Sequence, residues 1–502
     1  MTAPTLVWLR YDLRLHDHEP LVRATKDGGP VAVVYCIDPR DFAETFVGGF
    51  PKTGPHRARF LLESLADLRA SLRGLGGELL VRRGRPEEVL PELARELGAS
   101  RIRYHAEVAS EERTVERAVA DALRPLKVTL DSAWGHSLLH PDDLPFPISE
   151  LPETFSQFRA QVEKRVVARE PLPAPTRLSP LPAGVPEGPI PSLLELGLTP
   201  PVPDPRQRMQ YPGGESRGLA RLSEWVFAAD ALKTYKETRN GLLEADDSSK
   251  FSPWLALGCL SPRQVHAAVR RYEAERVANE STYWMVFELL WRDYFRFIVT
   301  KHGDRIFRAG GLVGARIRWA TDPDALERWR LGQTGYPLVD ASMRELAATG
   351  YTSNRARQNV ASFLTKNLGI DWRWGAAWFE SQLVDYDVTS NWGNWAYAAG
   401  VGNDARGFRF FNLEKQARDY DPEGHFARHW LPELAAIPGD RVYQPDRLSQ
   451  ADLQRWHVRL GTDYPLPMVD FRESAKVCER FYEAGFKGAE RRPGQPPRSR
   501  LR

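Results

Sequence analysis

An α/β N-terminal domain with a parallel, doubly wound sheet, plus a mostly α-helical C-terminal domain, is the fold class predicted by this 502-residue sequence. Three observations carry it. Short apolar runs alternate with amphipathic helical patterns over residues 1–135. Proline crowds the stretch from Pro171 to Gly214, and long helical patterns dominate from Leu219 to about Ala484.

In chain order, Leu6–Leu9, Val31–Ile37, Glu78–Val81, Arg101–Tyr104 and Val128–Leu130 read as strands, with helical stretches such as Ala58–Leu72 between them. Strands separated by helices must pair in parallel, because each crossover returns the chain to the same edge direction. No G-x-G-x-x-G follows the first strand, so a dinucleotide fingerprint is missing. Pro171, Pro173, Pro175, Pro200, Pro201, Pro203 and Pro205 oppose regular structure, and residues 136–217 are expected to form a long interdomain connector. Residues 218–486 form the expected helical domain. Residues 487–502, with five arginines and several prolines, lack apolar periodicity and are expected to be a disordered basic tail.

Composition narrows the function. No apolar run approaches the roughly 18 residues that span a bilayer, and the N-terminus lacks a signal-type apolar core. A cytoplasmic monomer with no membrane role is expected. Cys36, Cys259 and Cys478 are far apart and odd in number, which supports neither a disulfide framework nor a multi-cysteine metal site, and no metal is expected. The net charge of +3 is mild, so a polyanionic partner would have to meet a local basic face. The 15 tryptophans imply either a large aromatic core or aromatic chemistry.

One loop, Asp246-Asp247-Ser248-Ser249-Lys250-Phe251-Ser252-Pro253, places hydroxyls and a lysine before a helix start with Pro253 at an N1-like position. Alone it reads first as an ordinary serine-capped helix, since caps far outnumber phosphate sites, with a diphosphate cradle as the alternative. Stronger are Gly335–Arg344, Ser353–Asn359, Val384–Asp387 and Ser390–Trp395, together with Trp254–Arg263, Glu288–Tyr294 and the opening Trp8–Asp17.

These segments resemble the photolyase/cryptochrome family over both domains, and continuously over roughly Tyr235–Leu434. Tyr235–Gly241, Ala278–Trp284 and Ser390–Tyr397 are similar to the DASH cryptochromes within it. The resemblance implies that the helical domain binds FAD. Tyr235, Ser248, Ser249, Lys250, Phe251 and Ser252 would then hold its phosphates and ribityl chain. Arg357 would pair with Asp385 beside the isoalloxazine, Asp387 and Arg292 would support the ring, and Asn391 would face flavin N5. Trp395, Trp372 and Trp319 match an electron relay, for which core packing is the alternative reading.

The implied activity is light-driven repair of cyclobutane pyrimidine dimers in DNA. Glu288 and Trp291, with Asn391, would meet a dimer flipped out of the stack. Arg239, Asn354, Arg355 and the arginines around Arg406 and Arg409 would contact phosphates. Tyr397 stands where classical dimer photolyases carry a second tryptophan, so single-stranded DNA is the expected preference. The resemblance also implies a folate antenna, 5,10-methenyltetrahydrofolate. Glu111 is its aligned acidic ligand, and Glu107 or Glu112 remain alternatives after a small shift. A blue-light signalling cryptochrome, using the same FAD and tryptophans, is the competing function.

Overall fold

The structure is a computed structural model, which describes residues 3–181, 184–403 and 408–487. Five strands, β1 (Thr5–Leu9), β2 (Val31–Ile37), β3 (Leu79–Arg83), β4 (Arg101–His105) and β5 (Thr129–Ala133), form one sheet in the order β3-β2-β1-β4-β5. Every pairing is parallel. Between them run α1 (Glu19–Lys26), α2 (Pro55–Gly74), α3 (Pro86–Leu97) and α4 (Ser110–Leu123). Side chains alternate across the strands. Leu6, Trp8 and Val34 pack on α3 and α4, whereas Val7, Leu9 and Val33 enter a core shared with α2 and the helical domain. The sheet is therefore doubly wound, as expected, and one of its faces is part of the interdomain core.

The proline-rich stretch is less passive than a connector. Residues 136–217 include α5 (Phe155–Arg165), which buries Phe155, Phe158 and Val162, and the start of α6 (Glu215–Ser223). From Pro171 to Gly214 only Leu194–Leu196 forms a helical turn among the described residues. That extended chain covers the edge of the sheet: Val81 N–H donates to Glu187 O at 2.8 Å, and Leu178 N–H to Leu75 O at 2.8 Å. An edge strand with unpaired amides invites aberrant pairing, and this segment removes the opportunity at β3.

The helical domain follows with α7 (Tyr235–Thr238), α8 (Ser252–Ala256), α9 (Pro262–Glu275) and the long α10 (Glu280–His302). Next come α11 (Pro323–Arg330), α12 (Pro337–Thr349), α13 (Asn354–Lys366), α14 (Trp372–Gln382) and α15 (Val388–Ala398). Then α16 (Leu413–Tyr420), α17 (His425–Trp430), α18 (Gln450–Arg455) and α19 (Phe471–Phe486) complete it. None of the helices is long and apolar enough to cross a membrane. The expected basic tail, beyond Lys487, lies outside the described residues.

The opening motif clasps the two domains. Arg14, 1% exposed, donates to Gly258 O at 2.9 Å and Gly135 O at 3.1 Å, while Asp17 accepts from Ser261 Oγ and Arg263 Nε. Glu215 accepts the backbone N–H groups of Leu15 and His16. Buried charges persist only where such partners surround them. Asp12, His18 and His105 also cluster here, fully buried. His18 Nδ1 accepts the Leu21 N–H at 3.1 Å, so its Nε2 carries the proton and points it at Asp12 Oδ2, 2.9 Å away. Burial alone would raise the Asp12 carboxyl, but His18 and His105 hold it well below the ordinary carboxylate range. The cluster is a hydrogen-bonded junction, and its geometry commits His18 to Asp12.

Candidate active site

The loop before α8 turns through Lys250 in the left-handed region, at φ 53°. This unusual conformation for a lysine aims the backbone toward the helix start. Two residues outside the sequence expectation hold the loop. Arg221 donates to Ser249 O and Ala245 O, each at 3.2 Å, and Trp225 Nε1–H to Asp246 O at 3.3 Å. Trp225 also sits edge-on against Tyr235 and Phe251. Lys250 is buried over the Tyr351 ring, and that burial lowers its proton affinity. A diphosphate at this place would supply the negative charge that Lys250 faces.

Across the groove, the short link from α14 to α15 delivers Asp385 and Asp387. Asp385 Oδ2 accepts from Ser252 Oγ at 2.6 Å and Arg357 Nη2 at 2.9 Å, joining three predicted residues from distant segments. Its Oδ1 is buried with no hydrogen-bond partner. A buried, unpartnered carboxylate oxygen is costly, and a donor on a bound flavin would satisfy it. Asp387 caps α15, accepting from Ser390 N–H and Thr389 Oγ, each at 2.7 Å. Burial pushes its carboxyl up, but Arg292, 3.5 Å away, and these hydrogen bonds hold it below its ordinary value. Arg292 is itself fixed by His136 O and Leu255 O. Asn391, buried, donates to Ala376 O at 3.0 Å, which orients its amide. The donor set, the orphaned oxygen and the buried lysine of the loop fit FAD.

Glu345, not singled out from sequence, accepts from Thr352 Oγ at 2.6 Å, and burial pushes its carboxyl up to about 7 against the charges of Lys250 and Arg357. It directly follows the distinctive Gly335–Arg344 segment, but its partners lie elsewhere in the chain, so its place was not legible from sequence.

α10 presents Glu288, Trp291 and Arg292 within about one turn, so the two residues expected to meet a substrate share a helix with the partner of Asp387. Trp291 stacks on Phe155 with centroids 3.7 Å apart and meets Tyr397 edge-on at 5.8 Å. One face of the ring is thus already covered. Arg239, expected on the rim as a phosphate contact, is ion-paired with Glu288, because a half-buried carboxylate draws in the nearest guanidinium. Arg355 donates to Asn240 Oδ1 at 2.8 Å and Gln358 Oε1 at 2.9 Å and lies over Tyr420. Asn354 and Arg409 are exposed, and Arg406 lies outside the described residues.

The three relay tryptophans differ in setting. Trp395 and Trp372 are 4% and 0% exposed, and Trp319 is half-buried. The Trp395 ring lies across α14, where Gly375 leaves it room. No ring of the three stacks on another. Trp395 meets Trp329 and Phe379, Trp372 meets Trp392, and Trp319 meets Tyr482.

A cavity of about 710 Å³ opens between the domains, lined by Tyr11, Phe46, Lys52, Glu111, Glu112, Glu380, Tyr386 and Trp392 among others. Glu111, the aligned antenna ligand, has a side chain 64% exposed and paired with Lys52. Glu112 turns inward instead: Oε2 is buried without a partner, and burial pushes the carboxyl up to about 7. Glu107 does not line the cavity; it binds Arg296 at 2.9 Å and His136 at 3.0 Å.

A doubly wound sheet clasped to a helical domain whose buried polar groups suit a flavin defines the class, a photolyase/cryptochrome flavoprotein. Residues 5–176 match the family described as DNA photolyase, and residues 284–484 the FAD binding domain of DNA photolyase. A cryptochrome DASH of Gloeobacter violaceus is 60% identical over 499 residues, covering 99% of each chain. The solved structure of a Synechocystis cryptochrome is 53% identical, with a TM-score of 0.93 over 96% of this chain and 99% of that one. A bacterial class III photolyase from Agrobacterium tumefaciens is 32% identical, with a TM-score of 0.86 over 97% and 98%. The chain belongs to the photolyase/cryptochrome family, and within it to the DASH cryptochromes.

Proposed function

We propose that this protein repairs cyclobutane pyrimidine dimers with light, acting preferentially on single-stranded DNA, as a monomer in the cytoplasm. The observation that carries the reading is α10, which sets Glu288 and Trp291 of a lesion pocket beside Arg292, the partner of Asp387 in the flavin cradle. When bound, FAD supplies light absorption and the electron that splits the dimer. The chain does the rest. Asp385 and Arg357 orient the ring, Asn391 offers an amide that can both donate and accept, and Trp291 offers its free face and edge to an extruded base.

Trp395, Trp372 and Trp319 relay electrons inward from the surface, a direction favoured by the half-buried setting of Trp319. Exposed Asn354 and Arg409 contact phosphates, with Arg355 behind them. The interdomain cavity takes the folate antenna, and its inward carboxyl Glu112 is better placed than Glu111 to meet a pterin.

Photoreduced protein illuminated with dimer-containing single-stranded and duplex oligonucleotides tests the reading by dimer loss. Repair of single strands well above duplex supports it. Intact photoreduction with no dimer loss on either substrate would overturn it in favour of light signalling.

A further inference from the structure

Trp319 is the outermost station of the relay, and its surroundings decide what can refill it. The indole is half-buried and meets Tyr482 edge-on, centroids 5.6 Å apart. Burial pushes the Tyr482 phenol well above its ordinary range, so that ring keeps its proton and is a poor donor to its neighbour. The electron that restores Trp319 must then come from outside the protein.

The segment that carries Trp319 is strapped at both ends. Arg316 N–H donates to Gly485 O at 2.9 Å, near the end of α19, and Ala320 N–H donates to Gly369 O at 2.8 Å, shortly before α14. Between the straps exposure alternates: Ala315 and Ile317 are buried, Arg316 and Arg318 exposed. In extended chain such alternation sends both guanidiniums to the solvent side. Neither has an ion-pair partner among the described residues, whereas Arg373, at the start of α14, is held by Asp371 at 2.7 Å. Exposed Lys487, two residues beyond Gly485, adds a third cation. Among the described residues the acids closest along the chain are Glu483, exposed on α19, and Asp322, whose carboxylate is turned to the Ala325 N–H at the start of α11.

We propose that Arg316 and Arg318 form an anion-steering rim beside Trp319, and that the reductant refilling the relay is a small anionic one-electron donor. The proposal rests on the relay reading above. Once Trp319 has passed an electron inward its indole is a radical cation, and the donor gives it one electron on contact. No bond forms or breaks: the donor loses one electron and one unit of negative charge, and the indole returns to neutral. Fixed cations beside the ring raise the local concentration of anions, and salt screens this attraction over a Debye length of about 10 Å at 0.1 M. An uncharged donor gains nothing from them.

The test uses the full-length, FAD-loaded protein and follows the decay of the tryptophan radical after a light flash, with ferrocyanide as the anionic donor and hydroxymethylferrocene as the uncharged one. The second-order rate constant with ferrocyanide should fall steeply as ionic strength rises, and that with hydroxymethylferrocene should stay level. Arg316→Glu combined with Arg318→Glu should lower the ferrocyanide constant at low salt by about tenfold or more and leave the uncharged donor within about twofold. Arg316→Lys combined with Arg318→Lys should keep the parental constant. The flavin absorption spectrum reports that each variant is folded and loaded. A ferrocyanide constant that ignores salt, that stays parental in the Arg316→Glu, Arg318→Glu protein, or that falls there equally with both donors overturns the rim. Trp319→Phe separates the two readings. A radical that no longer reacts with either donor supports Trp319 as the outer station, whereas refilling at the parental rate would sink the relay reading, and the rim with it.

Discussion

Arg239 and Glu288 form an ion pair beside Trp284, and the Arg239 guanidinium lies 5.1 Å over the Trp284 ring. The pair joins α10 to the segment after α7, bridging 49 residues of sequence. Burial raises the Glu288 carboxyl, and Arg239 pulls it back down.

That opposition gives a pH prediction. Arg239→Ala removes the charge that most lowers the Glu288 carboxyl, so the group stays protonated to higher pH. If protonated Glu288 donates to the dimer's base edge, the alkaline limb of the repair profile should move upward, and Glu288→Gln should flatten it. Steady-state repair rates across pH check this; an unmoved limb in Arg239→Ala would remove the role.

Asp385 bridges Ser252, on the phosphate loop, and Arg357, on α13. Asp385→Asn keeps the shape but leaves Arg357 without its charge partner, which costs about 3 kcal/mol for a buried pair. FAD retention should fall by about a hundredfold, measured as flavin dissociation in dialysis. Retention at the parental level would place the cofactor elsewhere.

Tyr397 meets Trp291 edge-on across the pocket. Extruding a dimer from a duplex costs a few kcal/mol, and each aromatic platform returns about 1–3 kcal/mol per base. Tyr397→Trp should therefore raise duplex repair more than single-strand repair. Equal changes on both substrates would show that this position does not set the preference.

Arg355 is already hydrogen-bonded to Asn240 and Gln358, so a phosphate would find it pre-oriented. Arg355→Ala should weaken DNA binding uniformly across sequences and reduce the magnitude of the salt slope by about 1. Titrations at several salt concentrations check it; a parental slope would assign Arg355 to the fold alone.

Much of the architecture is legible in the chain because it rests on local periodicity. Val31–Ile37 is a strand as read, Ala58–Leu72 lies within the observed Pro55–Gly74, and a helix does start at Ser252, although its hydroxyl bonds Asp385 and no side chain caps the helix. The members of the flavin cradle were also readable, since Ser252, Arg357 and Asp385 sit in distinctive segments. The convergence of Ser252 and Arg357 on one oxygen of Asp385 was not.

Tertiary structure decided which partner each polar or aromatic group found. Glu111 and Glu112 are neighbours in an acidic helix start, and only the packing of α4 against the interdomain cavity turns one outward and the other in. Arg239 reads as a phosphate contact until α10 brings Glu288 to it. Trp372 and Trp392 lie on separate helices, and only α14 packed on α15 brings their rings together. The physical reason is common to all three. Backbone pattern is set by neighbours within a turn or two, whereas burial, charge pairing and ring contact depend on residues tens to hundreds of positions away, which meet only when the helices pack.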